Sequence, residues 1–264
     1  MKVSVKTPAT IANLGPGFDS FGLALPLYNV ISLEETVLPG SGIEVNIINE
    51  KNNDDNIIDI PTDKSNIIYK AIELLYNFIG QVPNELKITV KTQIPISRGL
   101  GSSASVIVGG LIAANELLGR PADEKILMSI ATEIEGHPDN ITPAFVGGVT
   151  MSSWEEDGSI VYRKLPWNDG WKLMVCVPDY ELNTEISRSV LPKEVPMQSA
   201  IYNLKRSAMF VDAMYNNDEE LLKLSLKDKL HQPYREKLVP GLSDIMNNLK
   251  HTNGVIGTVL CGAG

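Results

Sequence analysis

A glycine- and serine-rich segment, placed between a strand pattern and an apolar helix pattern, constrains this chain more than any other feature. Residues 95–105 have glycines at positions 99 and 101 and hydroxyl side chains at positions 102, 103 and 105. Glycine lets the backbone approach a ligand closely, and the free amides at a helix start favour an anion. The segment therefore predicts a phosphate-binding loop, although a helix cap without a ligand has a similar composition. It lacks the lysine of a Walker loop and the strand and glycine placement of a Rossmann turn.

The order of the predicted elements indicates a mixed fold. Strand patterns occur at 2–6, 29–37, 42–48, 86–92, 171–177 and 254–261, and helix patterns at 67–79, 102–118, 122–135, 198–216, 219–229 and 242–250. The first helix can be capped by Asp63 or Ser65. Because regular βαβα alternation is missing, the pattern favours an α+β fold with two lobes. The polar, turn-rich stretch at 152–168 suggests the boundary, so we expect lobes at 1–155 and 156–264.

Composition limits the partners of the chain. Its 23 basic and 32 acidic side chains give a net charge of −9, which argues against a nucleic-acid partner. The only two cysteines, Cys176 and Cys261, stand beside apolar residues, so we expect buried thiols without a disulfide. No apolar run approaches the ~20 residues of a membrane span, and the N-terminus lacks a signal-peptide core. We therefore expect a cytoplasmic protein without a membrane partner.

Three ordered motifs resemble those of one enzyme family. Residues 95–104, Pro-Ile-Ser-Arg-Gly-Leu-Gly-Ser-Ser-Ala, are similar to the second motif of the GHMP kinases. Residues 8–19, Pro-Ala-Thr-Ile-Ala-Asn-Leu-Gly-Pro-Gly-Phe-Asp, and 135–144, Glu-Gly-His-Pro-Asp-Asn-Ile-Thr-Pro-Ala, resemble motifs of its homoserine kinase branch. The resemblance covers nearly the whole chain. It implies a two-lobed GHMP kinase fold, with a ribosomal-domain-like β-α lobe followed by an α+β lobe, and ATP-dependent phosphorylation of L-homoserine to O-phospho-L-homoserine in threonine biosynthesis.

The resemblance also implies a homoserine site. Asn13 and Asp19 would meet the polar end and the ammonium of the amino acid, and His137 and Asn140 would lie near its hydroxyl. The family's substrate-contacting arginines match Arg188 and Arg235. Arginine suits this task because its planar fork can bind a carboxylate through two hydrogen bonds.

By the same resemblance, the glycine loop would hold the phosphates of ATP. The loop residues are Pro95, Ile96, Ser97, Arg98, Gly99, Leu100, Gly101, Ser102, Ser103, Ala104 and Ser105. Thr184 would add a hydroxyl near the γ-phosphate, and Mg²⁺ would lie between Ser103 and Glu133, since this ion prefers oxygen ligands. Glu135 is the alternative ligand. The two glutamates point in different directions on a helix, so we expect only one of them, Glu133, to face the metal.

Phosphoryl transfer requires alignment and charge neutralisation more than covalent help. The resemblance therefore implies catalytic roles for Asn140, Arg188 and Glu133, with late proton loss, while Asp139 as a base stays an alternative. Residues 261–264, Cys-Gly-Ala-Gly, resemble the start of the family's third motif, so we expect an apparently truncated C-terminus and an incomplete C-terminal lobe. This leaves two other hypotheses, another GHMP small-molecule kinase and a non-catalytic nucleotide-binding relative. A homodimer is expected from the family.

Overall fold

The computed structural model of the chain describes residues 1–36, 43–49 and 61–263. The strands are β1 (Lys2–Ala12), β2 (Phe21–Thr36), β3 (Ile43–Asn49), β4 (Glu85–Thr92), β5 (Val149–Trp154) and β6 (Ile160–Leu165). The helices are α1 (Ile67–Phe78), α2 (Ser102–Leu117), α3 (Glu124–Glu135), α4 (Pro138–Val146), α5 (Thr184–Ser189), α6 (Met197–Asn216), α7 (Glu219–Ser225), α8 (Gln232–Arg235) and α9 (Leu242–Leu249), with a 3₁₀ turn at Glu236–Leu238. None of these helices combines the length and the apolar character needed to span a membrane.

The strands form a six-stranded sheet built around the long strand β2. The order is β3-β4-β2-β5-β6, and β1 also pairs with β2. Strands β3 and β4 are parallel, whereas the other pairs are antiparallel. The register of β1 against β2 shifts between Pro8 and Ala9, and the pairing then continues to Ala12. The strand therefore includes residues that the turn-like composition predicted as a loop.

Two hydrophobic cores hold the elements together. In the first, α2 packs against β1, β2, α1 and α3, and fully buried side chains such as Ile31, Ile72 and Leu111 fill the space between them. In the second, β1 and β2 meet α6 and α7, and the rings of Phe21 and Phe210 stack with centroids 4.8 Å apart. This second core places the later helices beside the loop that follows β1.

The mixed α+β architecture agrees with the predicted fold class, but local details differ. Helix α1 begins after Asn66, whose side chain accepts a hydrogen bond from the Ile68 amide at 2.9 Å, whereas Asp63 binds Ser65. The predicted strands at 29–37 and 42–48 correspond to parts of β2 and β3, and positions 37 and 42 lie outside the described residues. The predicted boundary at 155 falls between β5 and β6, which pair, so the hairpin would belong to the first lobe. The two-lobe division stays a prediction.

The predicted strands at 171–177 and 254–261 are wrong. The described chain has no strand at either segment, and Leu173 and Met174 are exposed. An extended segment becomes a strand only when a neighbour accepts its backbone hydrogen bonds, and no strand of the described residues pairs with either segment. For the same reason Cys176 is exposed rather than buried, and Cys261 is only partly buried.

Candidate active site

A cavity of about 330 Å³ lies between the glycine loop, the start of α4 and the helices α5 and α8. Its wall contains parts of all three sequence motifs, among them Arg98, together with Arg188 and Arg235. Residues far apart in the sequence meet in this wall: Asn13 and Gly262 are 249 positions apart, and Asn13 Nδ2 donates to the Gly262 carbonyl at 3.1 Å. The cavity is therefore assembled by the tertiary fold from locally recognisable segments.

The glycine loop leaves the start of α2 open to this cavity. Gly101 precedes the helix with φ of 60°, and no side chain caps the helix. A Cβ at this position would lie 2.0 Å from Thr10 Oγ1, so only glycine lets the loop approach β1. The first amides of a helix lack intrahelical partners and lie at the positive end of its dipole. This end of the cavity is therefore suited to an anion.

Ser103 and Glu135 meet beside the loop. The Ser103 hydroxyl donates a hydrogen bond to Glu135 Oε2 at 2.9 Å, and both residues line the cavity. Burial raises the pKa of Glu135, while the nearby His137 and the bond from Ser103 act in the opposite direction. A desolvated carboxylate beside a hydroxyl offers two oxygen ligands of the kind that Mg²⁺ prefers. These residues fit a magnesium ion.

The start of α4 presents a histidine, an aspartate and an asparagine. His137 Nδ1 lies 2.5 Å from Asp139 Oδ1, and both side chains are almost fully buried. Burial alone would lower the pKa of His137, but the hydrogen bond and the charge of Asp139 outweigh it, so the pKa is raised. The neighbouring Asn140 accepts a hydrogen bond from Thr10 Oγ1 at 2.9 Å. Asp139 is therefore engaged by a histidine, and Asn140 is oriented by β1.

The cavity wall also contains the guanidinium groups of Arg188 and Arg235. Arg188, in the last turn of α5, forms a two-pronged ion pair with Asp19 at 2.6 and 3.1 Å, and this pair raises its pKa although burial acts to lower it. Arg235, at the end of α8, is only 2% exposed and donates to the carbonyls of Gly262 and Ser187 at 2.7 and 3.2 Å. Burial and the charge of Arg188 lower the pKa of Arg235.

Arg235 has no acidic partner in the described chain. Ion pairs closer than 4.0 Å occur for Arg188, but among residues 1–36, 43–49 and 61–263 no carboxylate lies that close to Arg235. A buried charge without a counter-charge in contact is costly, and the more distant charges of Asp19, Asp139 and Asp228 do not outweigh the effect of burial on Arg235. An anionic ligand at this place would remove that cost, so the arrangement favours a carboxylate or phosphate beside Arg235.

Asp19, His137 and Asp139 form a second group with the composition of a metal site. One ligand atom of each lies within 4.8 Å of the others. However, Asp19 is already paired with Arg188, and Asp139 with His137. A cation here would have to break both pairs, so Ser103 and Glu135 are the better candidates for a metal.

Comparisons with known proteins agree with these motifs. Residues 66–148 match the model of the GHMP kinases N terminal domain. The homoserine kinase of Carboxydothermus hydrogenoformans is 41% identical over 268 residues, covering 99% of this chain and 83% of that protein. The homoserine kinase of Clostridium botulinum strain Langeland is 41% identical over 262 residues, covering 99% of this chain and 84% of that protein.

The chain belongs to the homoserine kinases of the GHMP kinase family. A crystal structure of homoserine kinase from Cytophaga hutchinsonii has the same fold, with a TM-score of 0.81 and 26% identity, and the match covers 100% of this chain and 82% of that one. These relatives confirm the family and the fold class expected from the sequence.

In this homoserine kinase family member, most of the predicted site residues line one cavity. They are Asn13, Asp19, Ile96, Ser97, Arg98, Gly99, Leu100, Gly101, Ser102, Ser103, His137, Asn140, Thr184, Arg188 and Arg235. The structure thus brings together the proposed substrate residues and most of the proposed phosphate loop. Their roles toward ligands stay proposals.

Glu133 is a correction. It is exposed and lies outside the cavity wall, whereas Glu135 contacts Ser103. The buried face of α3 contains Leu127, Met128 and Ala131. Glu135 follows these residues by 8, 7 and 4 positions, which places it on their face, while Glu133 points to the opposite side. Helical periodicity in the sequence therefore contained the signal that distinguishes the two glutamates.

Three other loop residues do not line the cavity: Pro95, Ala104 and Ser105. Ser105 is fully buried, and its hydroxyl lies 3.1 Å from Thr7 Oγ1 and accepts a bond from Asn29 at 3.2 Å. Ser105 lies one turn into α2, where its side chain meets Thr7 of β1, whereas Ser102 and Ser103 stand at the start of the helix beside the cavity. Ser105 therefore stabilises the fold.

Arg98 lines the cavity, but its guanidinium binds backbone carbonyls of the protein. Its Nη1 donates to the carbonyls of Pro178 and Tyr180, the latter at 2.6 Å, and the Leu182 amide donates to the Ser97 carbonyl at 3.1 Å. These bonds tie the glycine loop to the segment before α5. Arg98 therefore fixes the loop rather than reaching freely toward a phosphate.

Sequence reasoning missed the apolar part of the cavity. This wall includes Ile67, Ile68, Val90 and Val106, with Asn66 and Thr92 at its edge. These side chains come from α1, β4 and α2, and in the sequence they look like ordinary core positions. Only the fold shows that their ends border a cavity beside the glycine loop.

Proposed function

We propose that this protein transfers the γ-phosphoryl group of ATP to the side-chain hydroxyl of L-homoserine, giving O-phospho-L-homoserine and ADP for threonine biosynthesis. One observation supports this most directly. One cavity of the described chain is lined both by the glycine loop at the open start of α2 and by the Asp19, Arg188 and Arg235 cluster. These two groups of residues match the charges of a nucleotide and of an amino acid.

The glycine loop and the start of α2 are suited to the phosphates of ATP. The amides at the start of α2 would accept the phosphates, and Thr184 would add a hydroxyl at the edge of the loop. The apolar wall formed by Ile67, Ile68 and Val90 would cover the flat base. Ser103 and Glu135 would hold Mg²⁺, which neutralises charge on the phosphates when it is bound.

The cluster of Asp19, Arg188 and Arg235 and its neighbours offer groups for each part of homoserine. Arg235, which lacks an acidic partner, would bind the carboxylate, and Asp19 with Asn13 would bind the ammonium. Arg188 pairs with Asp19 and its charge also acts on Glu135, which bonds Ser103 of the loop. Its guanidinium would therefore also stabilise the transferring phosphoryl group. His137 and Asn140 would face the hydroxyl side of the acceptor.

The reacting hydroxyl needs no strong base in this arrangement. Asp139 is buried, and its Oδ1 lies 2.5 Å from His137 Nδ1, so this carboxylate serves to hold His137. Asn140 cannot act as a base, but its amide can align the hydroxyl for in-line attack. We infer that Asn140 and Arg188 align and stabilise the transfer and that the proton leaves late.

The test is an assay of ADP release coupled to an indicator reaction. The chain is supplied with Mg-ATP and L-homoserine, and in parallel with L-threonine, L-serine, mevalonate or galactose. We expect turnover with homoserine alone. Equal turnover with mevalonate or galactose and none with homoserine would contradict the proposal and favour another acceptor, while nucleotide binding without any turnover would favour a non-catalytic role. Cytoplasmic location and homodimer formation stay predictions.

A further inference from the structure

The ring of Phe18 is close to a histidine and to two arginines. It stacks on His231, with ring centroids 5.3 Å apart and an interplanar angle of 18°. The guanidinium carbons of Arg188 and Arg235 lie 5.6 and 5.4 Å from the Phe18 centroid. Both distances are within the range of cation–π attraction. Phe18 is therefore the one ring in the described chain that both of these arginines approach.

The histidine behind the ring is held firmly. His231 is fully buried, and its Nε2 donates to the Gly15 carbonyl at 2.9 Å. Burial lowers its pKa, so the imidazole is neutral near pH 7 and adds no charge beside the two arginines. Asp228 fixes the backbone here, since it accepts bonds from the amides of His231 and Gln232 at 2.9 and 2.7 Å.

The loop that contains Phe18 needs such support. Asn13, Leu14 and Asp19 have positive φ angles of 73°, 43° and 56°, which residues other than glycine rarely adopt. Contacts from the later helices hold this loop, because Asn203 and Ser207 donate to the Pro16 carbonyl at 3.2 and 3.1 Å.

We propose that Phe18, backed by His231, is a positioning residue that holds the guanidiniums of Arg188 and Arg235 at a fixed spacing for two anionic groups. This inference rests on the proposed function, in which the groups are the acceptor's carboxylate and the transferring phosphoryl. Two neighbouring cations repel each other, and Arg235 lacks an acidic partner in the described chain. The electron-rich face of one ring attracts both, so it keeps them in place before the anions bind.

The experiment compares three variants. Phe18→Leu removes the aromatic face with little change in apolar character, Phe18→Tyr retains the face, and Phe21→Leu removes a different stacked ring that touches neither arginine. Initial rates are measured while homoserine and ATP are varied separately. We expect Phe18→Leu to lower kcat/KM for homoserine about tenfold and to change KM for ATP less than about twofold. Phe18→Tyr should recover most of the loss.

The control defines what a purely structural role looks like. Phe21→Leu should lower the melting temperature without changing the ratio of the two KM values. If Phe18→Leu behaves in the same way, or if Phe18→Tyr is as impaired as Phe18→Leu, the positioning role is wrong.

The positioning role can be tested even if homoserine is not the substrate. If the unmodified chain does not turn over homoserine, the arginines are probed by calorimetric titration with inorganic phosphate. Phe18→Leu should then bind phosphate about tenfold more weakly than the unmodified chain. Equal affinity, or no binding by either protein, would overturn the inference.

Discussion

Replacing Glu135 with glutamine separates metal binding from folding stability. Glutamine has nearly the same shape, and its carbonyl can still accept the bond from Ser103, which is 2.9 Å long in this structure. A hydrogen bond of this kind contributes about 1 kcal/mol net, and the variant retains it. What the variant loses is the negative charge that would attract Mg²⁺.

The expected effects on stability and activity have opposite signs. Burial raises the pKa of Glu135 above its ordinary value of 4.5, so the folded protein binds a proton more tightly than the unfolded chain does. Stability is therefore lost as the pH rises from 4.5 through the raised pKa, and glutamine removes this loss. Activity with Mg-ATP should fall at least about 100-fold, since even partners that only orient metal ligands contribute about 10- to 100-fold.

The measurements are urea unfolding of the ligand-free protein at pH 4.5, 6 and 8, with m-values compared, and kcat/KM for Mg-ATP. The matched control is Glu133→Gln, which makes the same charge change on the exposed face of the same helix. We expect the control to behave like the unmodified chain. A variant at position 135 that is less stable than the unmodified chain at pH 8, or one as active as the control, would refute the reasoning.

Three further predictions concern other parts of the cavity. Arg235→Lys retains the charge but loses the planar group that can donate two hydrogen bonds to one carboxylate. In steady-state kinetics, KM for homoserine should therefore rise about tenfold or more while KM for ATP stays the same. If the arginine is only structural, the two KM values would change by the same factor. Asp139→Asn should lower the pKa of His137, because burial then acts without the opposing carboxylate; an NMR titration with an unchanged midpoint would contradict this. Gly101→Ala should destabilise the protein more than Gly119→Ala, because both have positive φ but only position 101 adds a clash at 2.0 Å. Each variant should lose about 1–2 kcal/mol of unfolding free energy because of its positive φ angle, and overpacking should add a loss of about 1–3 kcal/mol in Gly101→Ala. Equal losses for the two variants in denaturant unfolding would exclude the clash.

Features that depend on neighbours in the chain could be predicted from the sequence. The periodicity of α1, α2, α3 and α6 follows from residues three and four positions apart, and the glycine loop is a contiguous segment, so these four helices and the family were predicted correctly. The short helices α4, α5 and α8 were not predicted. The same local rule also distinguishes Glu135 from Glu133, because only Glu135 follows the buried residues Leu127, Met128 and Ala131 at helical spacing.

Features that depend on distant partners were decided only by the tertiary structure. The segments at 171–177 and 254–261 have apolar strand patterns, but a strand requires a hydrogen-bonding neighbour, which a pattern does not supply. The Asp19–Arg188 pair joins residues 169 positions apart, and Phe18 meets His231 across a larger separation of 213 positions. Contacts of this kind depend on how the helices pack, and packing is a property of the whole fold. The sequence by itself therefore determined which chemical groups this protein has, and the fold decided which of them meet in one cavity.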